Sequence, residues 1–300
     1  MKRIIFPFII MFCCCLGVQT VSGKTSETSE TNETSEASEA GVESEEAFFK
    51  SKTAEVPIIM YHLVTKNNRY VGKHGITPAE LESDLRYLQE HGYKTVVMKD
   101  LIAFVHKGKS LPDKPIVLSF DDGNSSDYRY LFPLLQKYDM KAVVSVLGKA
   151  TDECTALASA QSVPVIFPNL TWEQIKEMHD SPHVEIQNHS YDLHGKSGSS
   201  QRSGEPDETY KKRLHDDLSK LQARIKEMTG SEPNTFTYPL GLVSDNSRPV
   251  LEELGIKASL SCHDGLNYLK EDEPDCLYRL KRDNRPSGRP VSEVLKRMRK

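Results

Sequence analysis

The sequence has no two cysteines separated by two residues, and only three cysteines follow residue 15. The missing pair argues against a zinc site built from closely spaced thiolates. The three cysteines are Cys154, Cys262 and Cys276. Their odd number leaves at least one unpaired, and a Cys262–Cys276 disulfide could form in an oxidising compartment.

The N-terminal apolar run, Ile4–Val18, is shorter than the roughly 20 residues that a transmembrane helix needs. It follows Lys2 and Arg3 and precedes the small residues at 21–23. This order is typical of a secretory signal peptide, so we expect residues 1–23 to be a cleaved signal and the protein to be secreted or associated with the cell surface. An uncleaved membrane anchor is the alternative, but no stable membrane span is expected.

The chain has no excess of basic residues, and its formal net charge is −4. Residues 1–23 contribute +2 and residues 24–50 contribute −6, so residues 51–300 carry no net charge. A folded part without basic excess argues against nucleic acid as a partner. Residues 24–50 are rich in Ser, Thr and Glu with few apolar side chains, so we expect a disordered linker there and one folded domain over residues 51–300.

Short apolar segments alternate with helical patterns from Val56 onward, which is typical of parallel βαβ units. Seven or eight such units favour an α/β fold of the (β/α)-barrel type. An open doubly wound sheet is the alternative, but it would need a glycine-rich loop after the first strand, and none is present. We expect residues 148–169 to be an irregular insertion. Strands are predicted at residues 56–61, 94–98, 115–120, 141–147, 183–188, 235–238, 256–261 and 276–281.

Ionisable or turn-forming residues follow five of these strands, and in such a barrel catalytic groups come from the carboxyl ends of strands. Each has an ordinary explanation alone, since Asp-Asp-Gly is a common turn signal and a single His often caps a strand. Their coincidence at one face predicts a site. The residues are His62, Asp121, Asp122, His189, His194, Tyr238, Pro239, Cys262, His263 and Asp264.

Two histidines and one carboxylate suit a divalent ion of the Zn²⁺, Co²⁺, Ni²⁺ or Fe²⁺ type and leave coordination positions open. His189 and His194 are five residues apart, so one helix face cannot present both. A turn through residues 190–193 could bring them together. A second carboxylate beside the ligand could act as a general base on water.

These residues resemble the polysaccharide deacetylase family, the NodB-homology domain of carbohydrate esterase family 4. Ser119-Phe-Asp-Asp-Gly123, His189-Ser-Tyr-Asp-Leu-His194 and Thr237-Tyr-Pro-Leu-Gly241 match its motifs in order. The resemblance extends from about Val56 to the C-terminus and implies a NodB-like distorted (β/α) barrel with about seven parallel strands.

The sequence departs from the usual family pattern in three places. The five-residue histidine spacing resembles the branch that acts on poly-N-acetylglucosamine exopolysaccharide. The arginine that orients the base is missing from the third motif, and Arg279 is the substitute we consider. The late Leu-x-His that supplies the general acid is also missing. Met60-Tyr61-His62 resembles the element that supplies it in the exopolysaccharide branch, so His62 is the expected acid and His263 the second candidate.

The resemblance implies a hydrolase that removes N-acetyl groups from an amino-sugar polysaccharide and uses a divalent metal, with Zn²⁺ expected and Co²⁺ or Ni²⁺ as alternatives. The alternatives in function are an O-acetyl xylan or glycan esterase, a catalytically silent carbohydrate-binding domain and, remotely, a non-haem iron oxygenase. Trp172 is expected in the core or at the barrel rim, where it could stack on a sugar. The implied roles are metal binding by Asp122, His189 and His194, base and acid catalysis by Asp121 and His62, and oxyanion or substrate contacts by the Tyr238 N–H and Pro239.

Overall fold

The computed structural model describes residues 52–160 and 168–299. The expected signal peptide (1–23) and linker (24–50) lie outside the described residues. Among the residues described, no helix combines the length and apolar character needed to cross a bilayer.

Two of the described helices begin at side-chain caps. The side-chain hydroxyls of Thr77 and Thr171 accept a hydrogen bond from the backbone N–H of the residue three positions later. The side chain of that later residue accepts one from the backbone N–H of the threonine, which completes a capping box in each case. Gly230 ends the longest described helix in a left-handed conformation. The helices are α1 (Pro78–Glu90), α2 (Met98–Lys107), α3 (Phe132–Tyr138), α4 (Gly148–Ala160), α5 (Trp172–Asp180), α6 (Asp207–Thr229), α7 (Ser247–Glu253) and α8 (Val291–Met298).

Most of the described strands form one strongly curled parallel sheet. The strands in chain order are β1 (Thr53–Val56), β2 (Ile58–Tyr61), β3 (Leu63–Val64), β4 (Gly75–Ile76), β5 (Lys94–Thr95), β6 (Pro115–Phe120), β7 (Ala142–Val146), β8 (Val184–Asn188), β9 (Thr235–Thr237), β10 (Ala258–Leu260), β11 (Asn267–Lys270) and β12 (Asp283–Asn284). Seven form the sheet in the order β10-β9-β8-β7-β6-β2-β12, and β5 pairs with β6. Outside this sheet, β1 pairs antiparallel with β11 and β3 pairs with β4.

The chain between β10 and β12 brings the two edges of the sheet together. Leu280 forms a parallel bridge with Leu260 of β10, while β12 pairs with β2. The result is the predicted distorted barrel with seven parallel strands.

Alternate residues of the strands enter different cores, as the two-residue period requires. Outward residues such as Leu118 and Val144 pack under the helices. Inward residues such as Val117 and Val143 form an apolar cluster with α2 at one end of the barrel. Towards the carboxyl ends of the strands the interior becomes polar, and the site lies at that end.

Two predicted segments were wrong. Within the predicted irregular insertion at 148–169, residues 148–160 instead form α4, whose buried face uses small side chains that give little apolar signal. Residues 161–167 of that segment lie outside the described residues. The predicted strand at 276–281 is replaced by a helical turn, Pro274–Leu277, and the strand comes later as β12.

The Cys262–Cys276 disulfide that the sequence left possible is not formed, and the three described cysteines are all free. The two partners face different surroundings. Cys262 lies at the cleft described below, beside Met60, whereas Cys276 packs against the apolar cluster at the other end of the barrel.

Candidate active site

The carboxyl ends of the strands surround a cleft of about 1000 Å³. Its lining includes seven of the ten residues selected from the sequence. Five of them follow β2, β6 or β8, and the other two follow β10. The seven are His62, Asp121, Asp122, His189, His194, Cys262 and Asp264.

Asp122 and the two histidines form a compact group. Asp122 Oδ1 lies 3.4 Å from His189 Nε2 and 3.2 Å from His194 Nε2, and all three ligand atoms lie within 4.8 Å of one another. Asp122 adopts φ 74° at the tight turn after β6, a conformation that Asp tolerates better than most residues. The turn aims its carboxylate at the end of β8.

The donor set fits a cation. Asp122 Oδ1 is buried and accepts no hydrogen bond, and unpaired buried acceptors are costly. The Nδ1 of His189 lies 2.7 Å from the carbonyl of Thr237, which requires that nitrogen to carry the proton and leaves Nε2 with a lone pair. Burial would raise the pKa of Asp122, but the imidazoles of His189 and His194 hold it below its ordinary value. Converging acceptors with an unpaired oxygen fit a divalent metal.

The turn between the two histidines is fixed by Asp217 of α6. Its carboxylate oxygens accept the backbone N–H groups of Tyr191 at 2.7 Å and Asp192 at 2.9 Å. The turn also contains Ser190 at φ 83°. It brings the His189 and His194 rings to 5.2 Å between centroids. Asp217 was missed from the sequence because it lies on a different element, far along the chain.

Asp121 is buried in a bidentate ion pair with Arg282. The guanidinium donates to Oδ1 at 2.7 Å and to Oδ2 at 2.9 Å. Burial would raise the pKa of Asp121, but Arg282 lowers it below its ordinary value. The prediction for Arg279 was wrong, because Arg279 is bonded to the exposed Asp245 at 2.6 Å. Arg282 occupies the orienting position instead.

His62 faces Asp121 from the end of β2, with 3.9 Å between Nε2 and Oδ2. Burial lowers the pKa of His62 below its ordinary value, although the neighbouring carboxylates oppose the shift. A second imidazole, His74, packs edge-on against it at 4.7 Å between centroids and also lines the cleft. His74 was not selected from the sequence, because it lies in a loop without a motif.

Three further expectations differ from the structure, and a fourth, for Trp172, is confirmed for its core position. The Tyr238 N–H cannot serve an oxyanion, because it donates to the carbonyl of Leu260 at 3.0 Å in the sheet. Pro239 is buried in the next turn, and the neighbouring Leu240 lines the cleft. His263 is exposed and is not part of the cleft lining. Trp172 is only 1% exposed and bonds to Asp152, so its expected place in the core is confirmed and it cannot stack on a sugar.

Comparison with known proteins gives a consistent result. Residues 108–259, about half of the chain, match the family described as Polysaccharide deacetylase. A poly-beta-1,6-N-acetyl-D-glucosamine N-deacetylase of Staphylococcus aureus is 24% identical over 229 residues, which cover 71% of this chain and 73% of that protein.

Solved structures share the fold. A de-N-acetylase from Aggregatibacter actinomycetemcomitans superimposes with a TM-score of 0.68 at 25% identity, over 82% of this chain and 100% of that one. The Streptococcus pyogenes deacetylase PplD, in complex with acetate, superimposes with a TM-score of 0.67 at 20% identity, over 82% of this chain and 99% of that one.

Proposed function

Because the chain belongs to the polysaccharide deacetylase family, we propose that it removes N-acetyl groups from a polymer of N-acetylglucosamine and releases acetate. It is a hydrolase of carbon–nitrogen bonds other than peptide bonds. The observation that carries the proposal is the placement of Asp121, held by Arg282, beside the compact Asp122, His189 and His194 group. The relatives named for poly-N-acetylglucosamine and for de-N-acetylation support the amide substrate.

In the proposed site, Asp122, His189 and His194 would hold a divalent ion, for which we propose Zn²⁺. Such an ion would lower the pKa of water and polarise the acetamide carbonyl. The Nδ1–H of His189, directed at Thr237, keeps its Nε2 aimed into the site.

Asp121 is proposed as the general base. Its carboxylate is ionised at neutral pH, because Arg282 lowers its pKa, and the bidentate pair fixes its orientation. A carboxylate so held can accept a proton from water as the carbonyl is attacked.

His62 is proposed as the general acid. Its Nε2 lies 3.9 Å from Asp121 Oδ2, so the proposed acid and the proposed base are close enough to act on the same acetamide group. The lowered pKa of His62 makes its protonated form a stronger donor to the leaving sugar amine. The amine leaves with that proton, and the acyl group leaves as acetate.

We also propose that residues 1–23 direct export, that residues 24–50 act as a spacer, and that the folded domain works outside the cell or at its surface. The sequence pattern of those residues supports these roles.

Acetate release from N-acetylglucosamine oligomers tests the proposal, with Zn²⁺ or Co²⁺ returned to the chelated protein. We expect metal-dependent release that Asp121→Asn reduces to background. Release from acetylated xylan but not from these oligomers would indicate an esterase instead. Release from neither substrate, with metal still bound, would indicate a binding domain without catalysis.

A further inference from the structure

Most charges at the cleft are matched within the protein. Asp121 is paired with Arg282. Arg297 is shared between Asp264 at 3.1 Å and Asp283 at 2.6 Å. Asp122 belongs to the proposed metal group. Two lining cations remain, both exposed: Lys73 and Arg289. Among the described residues, no carboxylate forms an ion pair with either of them.

The two cations lie on loops that are bonded to each other. Asn284 donates to the carbonyl of Lys73 at 2.7 Å, and the N–H of Ser287 donates to the carbonyl of Gly72 at 2.9 Å. The second loop is anchored by the buried pair of Arg285 with Asp84, at 2.7 and 3.1 Å. Lys73 and Arg289 are therefore carried by one pre-arranged rim.

The same rim exposes an aromatic side chain to the cleft. Tyr70 is 59% exposed and lines the cleft together with Lys73. Its loop is closed tightly, because a Cβ at Gly75 would lie 2.0 Å from the Tyr70 carbonyl oxygen. An amphipathic ring at a cleft edge offers an apolar face with a polar tip.

We infer that Tyr70, Lys73 and Arg289 form a subsite for a sugar unit next to the reacting acetamide, and that this unit carries an anionic group, a carboxylate or a phosphate. Tyr70 packs against the apolar face of the pyranose ring. Lys73 and Arg289 bind the anion, since Arg in particular matches the geometry of both groups. The inference rests on the proposed function and specifies its substrate as an anionic amino-sugar polymer.

The test compares three N-acetylglucosamine oligomers of equal length. One is neutral, one carries a lactyl carboxylate on alternate units, and one carries a phosphate ester there. Calorimetry with the Zn²⁺-loaded Asp121→Asn protein measures binding without turnover, and acetate release by the wild-type protein measures kcat/KM. We expect an anionic oligomer to bind and react better than the neutral one, with a preference that falls as salt rises.

The double variant Lys73→Gln/Arg289→Gln should lose that preference, by roughly three- to tenfold, so that it binds anionic and neutral oligomers alike. Arg69→Gln is the matched control, because Arg69 is an exposed cation of the same loop that does not line the cleft. Tyr70→Ala should weaken binding of all three oligomers. Tyr268→Ala should not, since Tyr268 is 68% exposed and lies outside the cleft.

The proposed subsite would be contradicted if the protein bound neutral and anionic oligomers equally well. It would also be contradicted if Arg69→Gln lost the preference for anionic oligomers as fully as the double variant. A preference for one anionic oligomer identifies its group as the one bound. Absence of acetate release from every oligomer would overturn the proposed function, while the calorimetric comparison would still decide the subsite.

Discussion

Arg282 determines how Asp121 is presented to the reaction. Both side chains are almost fully buried, and breaking such a pair by removing one partner costs about 3–5 kcal/mol. Arg282→Gln should therefore lower the free energy of unfolding as well as kcat. Arg282→Lys keeps the charge but loses the bidentate geometry, so it should retain the fold and lose about tenfold or more in kcat with little change in KM.

Arg279→Gln is the control, because Arg279 bonds to Asp245 at the surface, and its kcat should be that of the wild-type protein. Kinetics with N-acetylglucosamine oligomers and thermal unfolding measure both effects. A folded Arg282→Lys protein with full kcat would show that Asp121 does not need this partner.

His62 should matter more for substrates whose leaving group needs a proton. His62→Gln should lower hydrolysis of the acetamide by about 10²–10⁴-fold. It should change hydrolysis of an activated aryl acetate much less, because that leaving group departs as a stabilised anion. The ratio of the two rates measures the role of the acid.

His263→Gln provides the comparison, since His263 is exposed and lies outside the cleft lining. Equal losses on both substrates in His62→Gln would mean that His62 shapes the site rather than donating a proton.

At the scale of elements, α6 supports the turn that carries the second histidine. Asp217 accepts two backbone N–H groups of that turn, so Asp217→Ala should leave the histidines less well arranged. We expect the affinity for Zn²⁺ or Co²⁺ to fall by about 10–100-fold, as for other residues that orient metal ligands. Asp216→Ala is the neighbouring control, because Asp216 pairs with Lys212 at the surface. An unchanged metal affinity in Asp217→Ala would show that Asp217 is not needed to position the metal-binding histidines.

The C-terminal segment is attached to α1 through Glu80, which gives a pH-dependent contribution to stability. Burial would raise the pKa of Glu80, but hydrogen bonds from Thr77, Ser287 and Gly288 lower it to about 2. Because this folded-state pKa lies below the ordinary value of 4.5, the stabilisation is complete above about pH 4.5 and is lost as the pH falls towards about 2.

Glu80→Gln should therefore be less stable than the wild-type protein by about 1–2 kcal/mol near pH 7, with the difference shrinking below pH 4.5. Glu82→Gln, on the exposed side of the same helix, should show a much smaller difference. Chemical denaturation across this pH range measures both. A constant difference for Glu80→Gln down to pH 2 would contradict the assignment.

Elements that are specified by a few consecutive residues could be predicted from the sequence. Contacts between residues that are far apart in the chain could not. The capping boxes at Thr77 and Thr171 and the strand before Asp121 lie in a few consecutive residues. Arg282 meets Asp121 across a separation of 161 residues, and its position depends on how the chain closes the barrel. The sequence therefore identified the candidate metal ligands but placed the orienting arginine at Arg279.

On the scale of the whole molecule, the proposed metal group joins the end of β6 to the end of β8 and, through His189 and Thr237, to β9. A ligand that binds only the folded protein stabilises it by about 3–4 kcal/mol at 100–1,000 times its Kd. For a domain of this size we therefore expect Zn²⁺ to raise the melting temperature of the chelated protein by about 5–15 °C.

Asp122→Asn should abolish this increase, because it removes the carboxylate of the three-residue group. Asp264→Asn should preserve it, since Asp264 lines the same cleft but pairs with Arg297. This comparison of melting temperatures tests the proposed metal group without any substrate. If Zn²⁺ still raises the melting temperature of Asp122→Asn, the ion binds elsewhere. If only Asp122→Asn loses this increase, the ion that stabilises the barrel binds to the residues that we propose for catalysis.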